Sequence, residues 1–119
     1  MARSLWLVMS RCSDPTREDE FNRWYEEVHM RDVLEYPEFI AAQRWQLAGP
    51  PSRGEPTAKY LALYELDSDD PRGVLERVLT TPDVTKRGPR RHECMDVISL
   101  TCWTALGVRQ EASQVRAGS

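Results

Sequence analysis

The order of strand-like and helix-like segments is the feature that most limits how this chain can fold. Four short segments carry the apolar or alternating pattern of β-strands, at positions 4–9, 39–47, 58–66 and 95–106. One helical pattern follows the first of these strands and another follows the third. The order β-α-β-β-α-β predicts an α+β fold, a ferredoxin-like antiparallel sheet with both helices on one face.

Proline and acidic residues set the expected limits of the two helices. Asp14 can cap the first helix with Pro15 in its first turn, and the run 69–71 opens the second helix in the same way. Because the residue before a proline is pushed out of the helical region, the first helix is expected to end just before Pro37. The second helix carries four apolar residues at helical spacing: Val74, Leu75, Val78 and Leu79.

Length and composition indicate one globular domain. The 119 residues suffice for a single core, which we place in 1–108, and the polar stretch 109–119 is expected to be a flexible tail. Hydrophobic residues make up 40% and charged residues 29% of the chain, which is typical of folded proteins rather than disordered ones.

Charge and cysteine content narrow the classes of partner. The net charge of -3 gives no general basic surface for nucleic acid, although one basic run is present: Lys86, Arg87, Arg90 and Arg91. No apolar run approaches the roughly 20 residues that span a bilayer, so no membrane partner is expected. Cys12, Cys94 and Cys102 have neither disulfide-framework nor zinc-ligand spacing. A cytoplasmic location is the simplest prediction.

Three of the predicted strands are apolar on both faces. In the first strand Leu5, Leu7 and Met9 alternate with Trp6 and Val8. Two helices can cover only one face, so the other face, expected to be rich in Trp and Tyr, would be a larger apolar patch than monomers usually expose. We therefore predict a homodimer with its sheets packed face to face and a pocket for a small apolar molecule. The predicted substrate-binding walls are Trp6, Tyr60, Tyr64 and Trp103.

The first helix carries one of the two histidines in the chain. At about 100° per residue, Trp24, Tyr25 and Val28 share an apolar face with Phe21. His29 lies at the edge of that face. The first helix is therefore predicted to bring a histidine next to the helix–sheet seam.

A carboxylate follows that histidine. Asp32 comes three residues after His29, within the same apolar sector. A carboxylate there can orient the imidazole and raise its basicity, which gives a general base or acid near neutral pH. In the alternative interpretation His29 is a hydrogen-bonded structural residue, and Asp32 caps a bend or pairs with Arg31 or Arg44.

The second histidine follows the basic run. With Arg90 and Arg91, His92 can contact an anionic group, because an arginine fork suits a carboxylate or a phosphate. In the alternative interpretation this segment is a solvated charged loop. The sequence has no Gly-rich phosphate loop, dinucleotide fingerprint or metalloprotease motif, so neither a cofactor nor a metal is predicted.

The run 21–45 resembles the first helix and second strand of the dimeric α+β-barrel superfamily, in particular its EthD-like branch. An aromatic pair, a histidine, an aspartate and a Pro-Gly-Phe turn recur there, and the matching residues are Trp24, Tyr25, His29, Asp32, Pro37 and Phe39. The chain departs from the pattern at Arg31, where proline is common, and at Glu38, where glycine is. The resemblance is specific over about a fifth of the chain and topological elsewhere.

The resemblance implies a cofactor-free or haem-free dimeric barrel. Members of the superfamily include monooxygenases of aromatic polyketides, muconolactone isomerases, polyketide cyclases, dehydratases and haem-degrading enzymes. With the residues above it favours an enzyme that uses acid–base chemistry on an apolar cyclic or aromatic oxygenated substrate, such as a polyketide or a catabolic intermediate. His29 is the predicted base or acid, Asp32 its orienting partner, and Tyr25 a donor to a carbonyl or enolate oxygen. The alternatives are a cofactor-free monooxygenase and a non-catalytic ligand-binding or stress-associated dimer.

Overall fold

A four-stranded antiparallel sheet forms the centre of the protein. The computed structural model describes residues 3–55, 58–80 and 92–118. The strands are β1 (Arg3–Cys12), β2 (Phe39–Gln46), β3 (Tyr60–Asp67) and β4 (Met95–Thr104). Their order across the sheet is β2-β3-β1-β4, and all three neighbouring pairs are antiparallel. The predicted ferredoxin-like α+β fold is confirmed.

The first crossover is a continuous helical segment made of four parts. A 3-10 turn (Pro15–Arg17) leads into α1 (Glu18–Trp24), then a π-helical turn (Tyr25–His29), then α2 (Met30–Leu34). The predicted cap is present, because Asp14 Oδ1 accepts a hydrogen bond from the Thr16 backbone N–H at 3.0 Å.

The π-helical turn shifts the buried side of this segment by one residue. The Met30 N–H donates to the carbonyl of Tyr25, five residues earlier, instead of the residue four earlier. The buried residues are consequently Phe21, Tyr25 and Met30, at spacings of four and then five. Val28 was predicted on the core face, but it is only partly buried and Met30 takes the core position.

The second crossover begins with α3 (Pro71–Thr80). Asp70 Oδ1 accepts a hydrogen bond from the Gly73 N–H at 3.1 Å, which caps the helix as its Asp-Pro start predicts. Val74 and Val78 are buried against the sheet. Leu79, predicted on the same apolar face, is instead 65% exposed because it lies one residue beyond the contact stripe. The basic run in 86–91 lies outside the described residues.

The C-terminal stretch contains one further helix. Residues Ala112–Gly118 form α4, and all of them are exposed. The stretch predicted as a flexible tail is thus helical over seven residues. Within the described ranges, none of the helices is both long and apolar enough to cross a membrane.

The two faces of the sheet differ in what covers them. The helix-covered face consists of the buried residues of β1 and β3: Ser4, Trp6, Val8, Ser10, Tyr60, Ala62, Tyr64 and Leu66. The open face carries the alternate residues: Leu5, Leu7, Met9, Trp45, Leu61, Leu63 and Trp103. The prediction of an open face rich in Trp and Tyr was therefore wrong for Trp6, Tyr60 and Tyr64, which lie on the covered face, whereas Trp45 and Trp103 do lie on the open face. The polar atoms of Trp and Tyr explain which face is covered, because a buried N–H or O–H needs a hydrogen-bond partner. Trp6 Nε1 donates to the Pro71 carbonyl at 3.0 Å, and Tyr60 Oη donates to Glu18 at 2.7 Å. Leucine side chains need no such partner and can lie on the open face.

Candidate functional site

An aromatic cluster fills the space between the first helical segment and the sheet. Phe21 and Tyr25 are fully buried at its centre, with ring centres 5.8 Å apart. Trp24 packs at its edge, 5.6 Å from Tyr25. The π-helical turn begins at this point, and such turns occur frequently at functional sites.

His29 lies against two of these rings. Its imidazole stacks on Trp24 at 4.9 Å with an interplanar angle of 18°, and it meets the edge of Tyr25 at 5.0 Å and 89°. His29 follows Tyr25 by four residues, which places the two side chains on the same side of the helical segment. Asp32 lies in α2 and is partly buried. The pairing of Asp32 with His29 stays a prediction.

His92 is held on the other side of Trp24. Its Nδ1 accepts a hydrogen bond from the Cys94 N–H at 3.1 Å, so the proton of the neutral ring is on Nε2, which faces the carboxylate of Glu20. The ring centre is 5.6 Å from that of Trp24 and 5.9 Å from that of Phe21. The histidine predicted to contact substrate is therefore tied into the framework by both nitrogens, and its ligand contact stays a prediction.

Ion pairs around His92 hold this corner of the cluster together. Arg17 pairs with Glu20 and with Glu93. The hydrogen bond from Arg17, followed by that from His92, holds the pKa of the Glu20 carboxyl below its ordinary value. Glu20 thus stays ionised as an acceptor for the His92 Nε2–H.

Arg44 is the functional candidate that sequence reasoning missed. It lies on β2, yet its side chain points to the helix-covered face and is only 7% exposed. The guanidinium carbon is 4.2 Å from the ring centre of Tyr25 and 4.8 Å from that of Tyr60. Burial lowers the pKa of Arg44 from its ordinary value, but a guanidinium keeps its proton at neutral pH. A permanent positive charge therefore lies inside the aromatic cluster.

One nitrogen of Arg44 is fixed by a hydrogen-bond chain. Nη1 donates to Asn22 Oδ1 at 3.0 Å, and Asn22 Nδ2 donates to Tyr60 Oη at 3.2 Å. Tyr60 in turn donates to Glu18, whose pKa is held below its ordinary value by Lys59 first and Tyr60 second. Nε and Nη2 of Arg44 are buried and have no hydrogen-bond partner among the described residues.

Two tyrosine hydroxyls adjoin the guanidinium. The Oη atoms of Tyr25 and Tyr64 are buried and adjoin each other, and within the described part of the chain neither has a partner at full hydrogen-bond geometry. Burial, above all, raises the pKa of Tyr25 above its ordinary value, and it raises that of Tyr64 well above it with the neighbouring Tyr25 adding to the effect. Both hydroxyls therefore stay protonated and remain donors.

The four predicted pocket walls are separated by the sheet. Trp6, Tyr60 and Tyr64 are buried on the helix-covered face. Trp103 is 52% exposed on the open face, opposite Leu5 of β1, and its Nε1 donates to Thr101 Oγ1 at 2.7 Å. The four side chains consequently do not surround a common space within one chain.

A β-bulge explains why Arg44 was overlooked. Phe39 pairs with Leu66 and Ala41 with Glu65, so Ile40 is an extra residue in β2. Alternation counted from Phe39 would bury Trp45 and expose Arg44, whereas the bulge reverses both. An arginine in the middle of an apolar strand was the available signal.

Two of the described cavities lie at the open face. One of about 590 Å³ lies where β1 begins and β4 ends and includes Leu5 and Trp103; another, of about 340 Å³, includes Met9, Trp45 and Leu61. Among the residues that the structure describes, no group of three or more His, Cys, Asp or Glu side chains is placed to hold a metal ion.

Comparison with known proteins supports the fold and leaves the chemistry open. No protein-family model matches the chain, and no curated protein matches it. Among solved structures, the crystal structure of HapK from Hahella chejuensis is similar, with a TM-score of 0.57 over 92% of this chain and 98% of that one. The two chains are 11% identical. At that identity the likeness extends to the fold alone.

Proposed function

We propose that this protein is a small-molecule enzyme that transfers protons without a cofactor, on an apolar cyclic or aromatic oxygenated substrate. The reaction is of the isomerase, cyclase or dehydratase type. One observation carries the proposal: an imidazole, His29, and a buried phenol, Tyr25, lie against each other beside a buried guanidinium. A base, a proton donor and a fixed positive charge are the groups that enolate chemistry needs.

Each group has a distinct role in this proposal. His29 removes or returns a proton at carbon, because an imidazole titrates near neutral pH. Tyr25 donates a hydrogen bond to the carbonyl or enolate oxygen, and its raised pKa keeps the donor proton in place. Arg44, 4.2 Å from the Tyr25 ring, favours negative charge at that oxygen. Asp32 orients the imidazole.

Oxygenation without a cofactor is the second candidate. Such chemistry also starts with proton removal by a base and proceeds in a dry aromatic site. The rings around His29, Trp24 and Tyr25 among them, favour this candidate.

The proposed enzyme is a homodimer of the EthD-like type, in which a second copy covers the open face. Trp103 and Trp45 are 52% and 50% exposed there, between the partly exposed leucines of β1 and β3. A contiguous apolar patch of this kind marks an interaction surface in soluble proteins.

Hydrogen–deuterium exchange at carbon tests the catalytic proposal without knowledge of the full reaction. Wild-type protein is incubated in D2O with enolisable cyclic ketones, lactones and phenols, and exchange is followed by NMR. We expect His29→Ala to lower the exchange rate by about 10²–10⁴-fold, the usual contribution of a general base. Glu27→Ala, an exposed change in the same π-helical turn, is the matched control and should exchange at the wild-type rate.

Two outcomes would contradict the proposal. Exchange by His29→Ala at the wild-type rate would remove the role of the base. Saturable binding of these compounds without exchange in any of them would identify the protein as a non-catalytic ligand-binding dimer.

A further inference from the structure

Arg44 presents one complete edge of its guanidinium to the interior without a partner. Nε and Nη2 lie on the same side of the group, and both are buried without a hydrogen-bond partner among the described residues. Nη1, on the other side, is used by Asn22 at 3.0 Å. The free edge is the one with two parallel N–H donors, the geometry that matches the two oxygens of a carboxylate.

The surroundings of this edge supply donors and very little negative charge. Tyr25 and Tyr64 add two buried hydroxyls that adjoin each other and, in the described ranges, have no partner at full hydrogen-bond geometry. The acidic side chain paired with Arg44 is Glu26, whose Oε1 is 3.9 Å from Nη1 and whose side chain is 55% exposed. A buried charge is expensive unless it is paired, so this arrangement calls for an anionic, acceptor-only group.

We propose that the Nε/Nη2 edge of Arg44, with the hydroxyls of Tyr25 and Tyr64, binds a carboxylate of the substrate. The proposal rests on the proposed function, because it names the substrate class of that enzyme. The substrate would be a cyclic or aromatic carboxylic acid. The rings of Phe21, Tyr25 and Tyr60 surround the guanidinium, so a carboxylate bound there would be shielded from water. The imidazole of His29 and the guanidinium of Arg44 both lie against the ring of Tyr25, at 5.0 Å and 4.2 Å. A bound carboxylate would therefore hold the reacting carbon near the base.

NMR titration of ¹⁵N-labelled protein tests this proposal directly. The probes are acetate, benzoate and cyclohexanecarboxylate, each compared with its uncharged amide of nearly the same shape. We expect saturable shifts of the Arg44 Nε–H signal with the carboxylates, and affinities at least about 10-fold higher than for the amides, since charge-assisted bidentate pairs are the strong ones. The Arg44 signal is assigned by its loss in Arg44→Lys.

Variants separate the anion site from general binding. Arg44→Met should lower carboxylate affinity by at least about 10-fold and leave amide affinity unchanged. Arg44→Lys should fall between the two, because it keeps the charge and loses the fork. Arg23→Met, which removes an exposed arginine of α1, is the matched control and should bind as the wild type does. Should Arg44→Met fail to fold, the wild-type comparison of carboxylate with amide and the Arg44→Lys titration decide the question.

Three results would overturn the proposal: no saturable shift with any carboxylate, equal affinity for carboxylates and amides, or wild-type carboxylate affinity in Arg44→Met. Its failure is distinguishable from failure of the proposed function. Carbon exchange of neutral ketones that depends on His29, without carboxylate binding, rejects the anion site alone. Carboxylate binding without carbon exchange of any compound rejects the enzyme alone.

Discussion

Replacing Arg44 by methionine should make the ligand-free protein more stable. Two buried nitrogens of the guanidinium lack partners among the described residues, and each unsatisfied donor costs about 1–3 kcal/mol. Against this, the variant loses the hydrogen bond to Asn22, about 1.5 kcal/mol for a charged donor, and stacking on Tyr25 and Tyr60, about 0.5–1 kcal/mol each. Methionine keeps the apolar stem and adapts to irregular space. We expect a net gain of about 1 kcal/mol, at the lower end of the range found when buried ion pairs are replaced.

Urea unfolding at a fixed chain concentration, in buffer free of carboxylates, measures this change. For a chain of 119 residues the expected gain corresponds to a rise in Tm of about 4 °C. Arg23→Met, at an exposed position, should stay within about 0.5 kcal/mol of the wild type. A loss of more than about 1 kcal/mol in Arg44→Met would refute the reasoning, because it would mean that the guanidinium is fully paired in the free protein. The stability of the wild type would then need no ligand to complete it.

Two other predictions concern the network behind Arg44 and the open face. The hydrogen bond from Lys59 holds the pKa of Glu18 below its ordinary value, so their ion pair stabilises the fold above that ordinary value and is lost as the pH falls through the lower folded-state value. Glu18→Gln should therefore lower stability at neutral pH and flatten the loss of stability on acidification, as followed by urea unfolding at several pH values; an unchanged pH profile would contradict this. Leu7→Arg, between Leu63 and Thr101 on the open face, should convert a particle of twice the 13.8 kDa chain mass into a monomer by light scattering. Leu79→Arg is the matched control: Leu79 lies on α3 and is 65% exposed, so this change should leave the mass of the particle unchanged. A wild-type particle with the mass of a single chain would reject the dimer.

The order of elements and their ends could be predicted because local rules fix them. Asp14 and Asp70 cap helices as their sequence context indicates, and α3 begins at the proline that was expected to open it. Strand and helix patterns were sufficient for the topology, since connections of this kind admit few arrangements.

The inward and outward assignment of side chains could be predicted only up to the first irregularity. Counting 100° per residue holds for Phe21 and Tyr25 and then fails, because the π-helical turn adds one residue before Met30. The alternation of buried and open-face residues along a strand holds for β1 and β3, but in β2 it fails after the extra residue Ile40. The choice of covered face also could not be read from periodicity, because both faces are apolar. It depends on partners for polar tips, such as the Pro71 carbonyl that accepts from Trp6, and these exist only after folding.

The π-helical turn and the bulge in β2 have a consequence for comparing this chain with related sequences. Each is a single extra residue, one in the helical segment and one in β2, and the first brings Met30 into the core after Tyr25 while the second turns Arg44 inward. A relative that lacked either residue would keep the topology, because an α-helix and a regular strand fit the same sheet. It would nevertheless present a different side chain at the corresponding place. Relatives with the same function should therefore have the same number of residues in these two segments. A one-residue gap in either segment would indicate a different function, even in a protein that has every residue of the site.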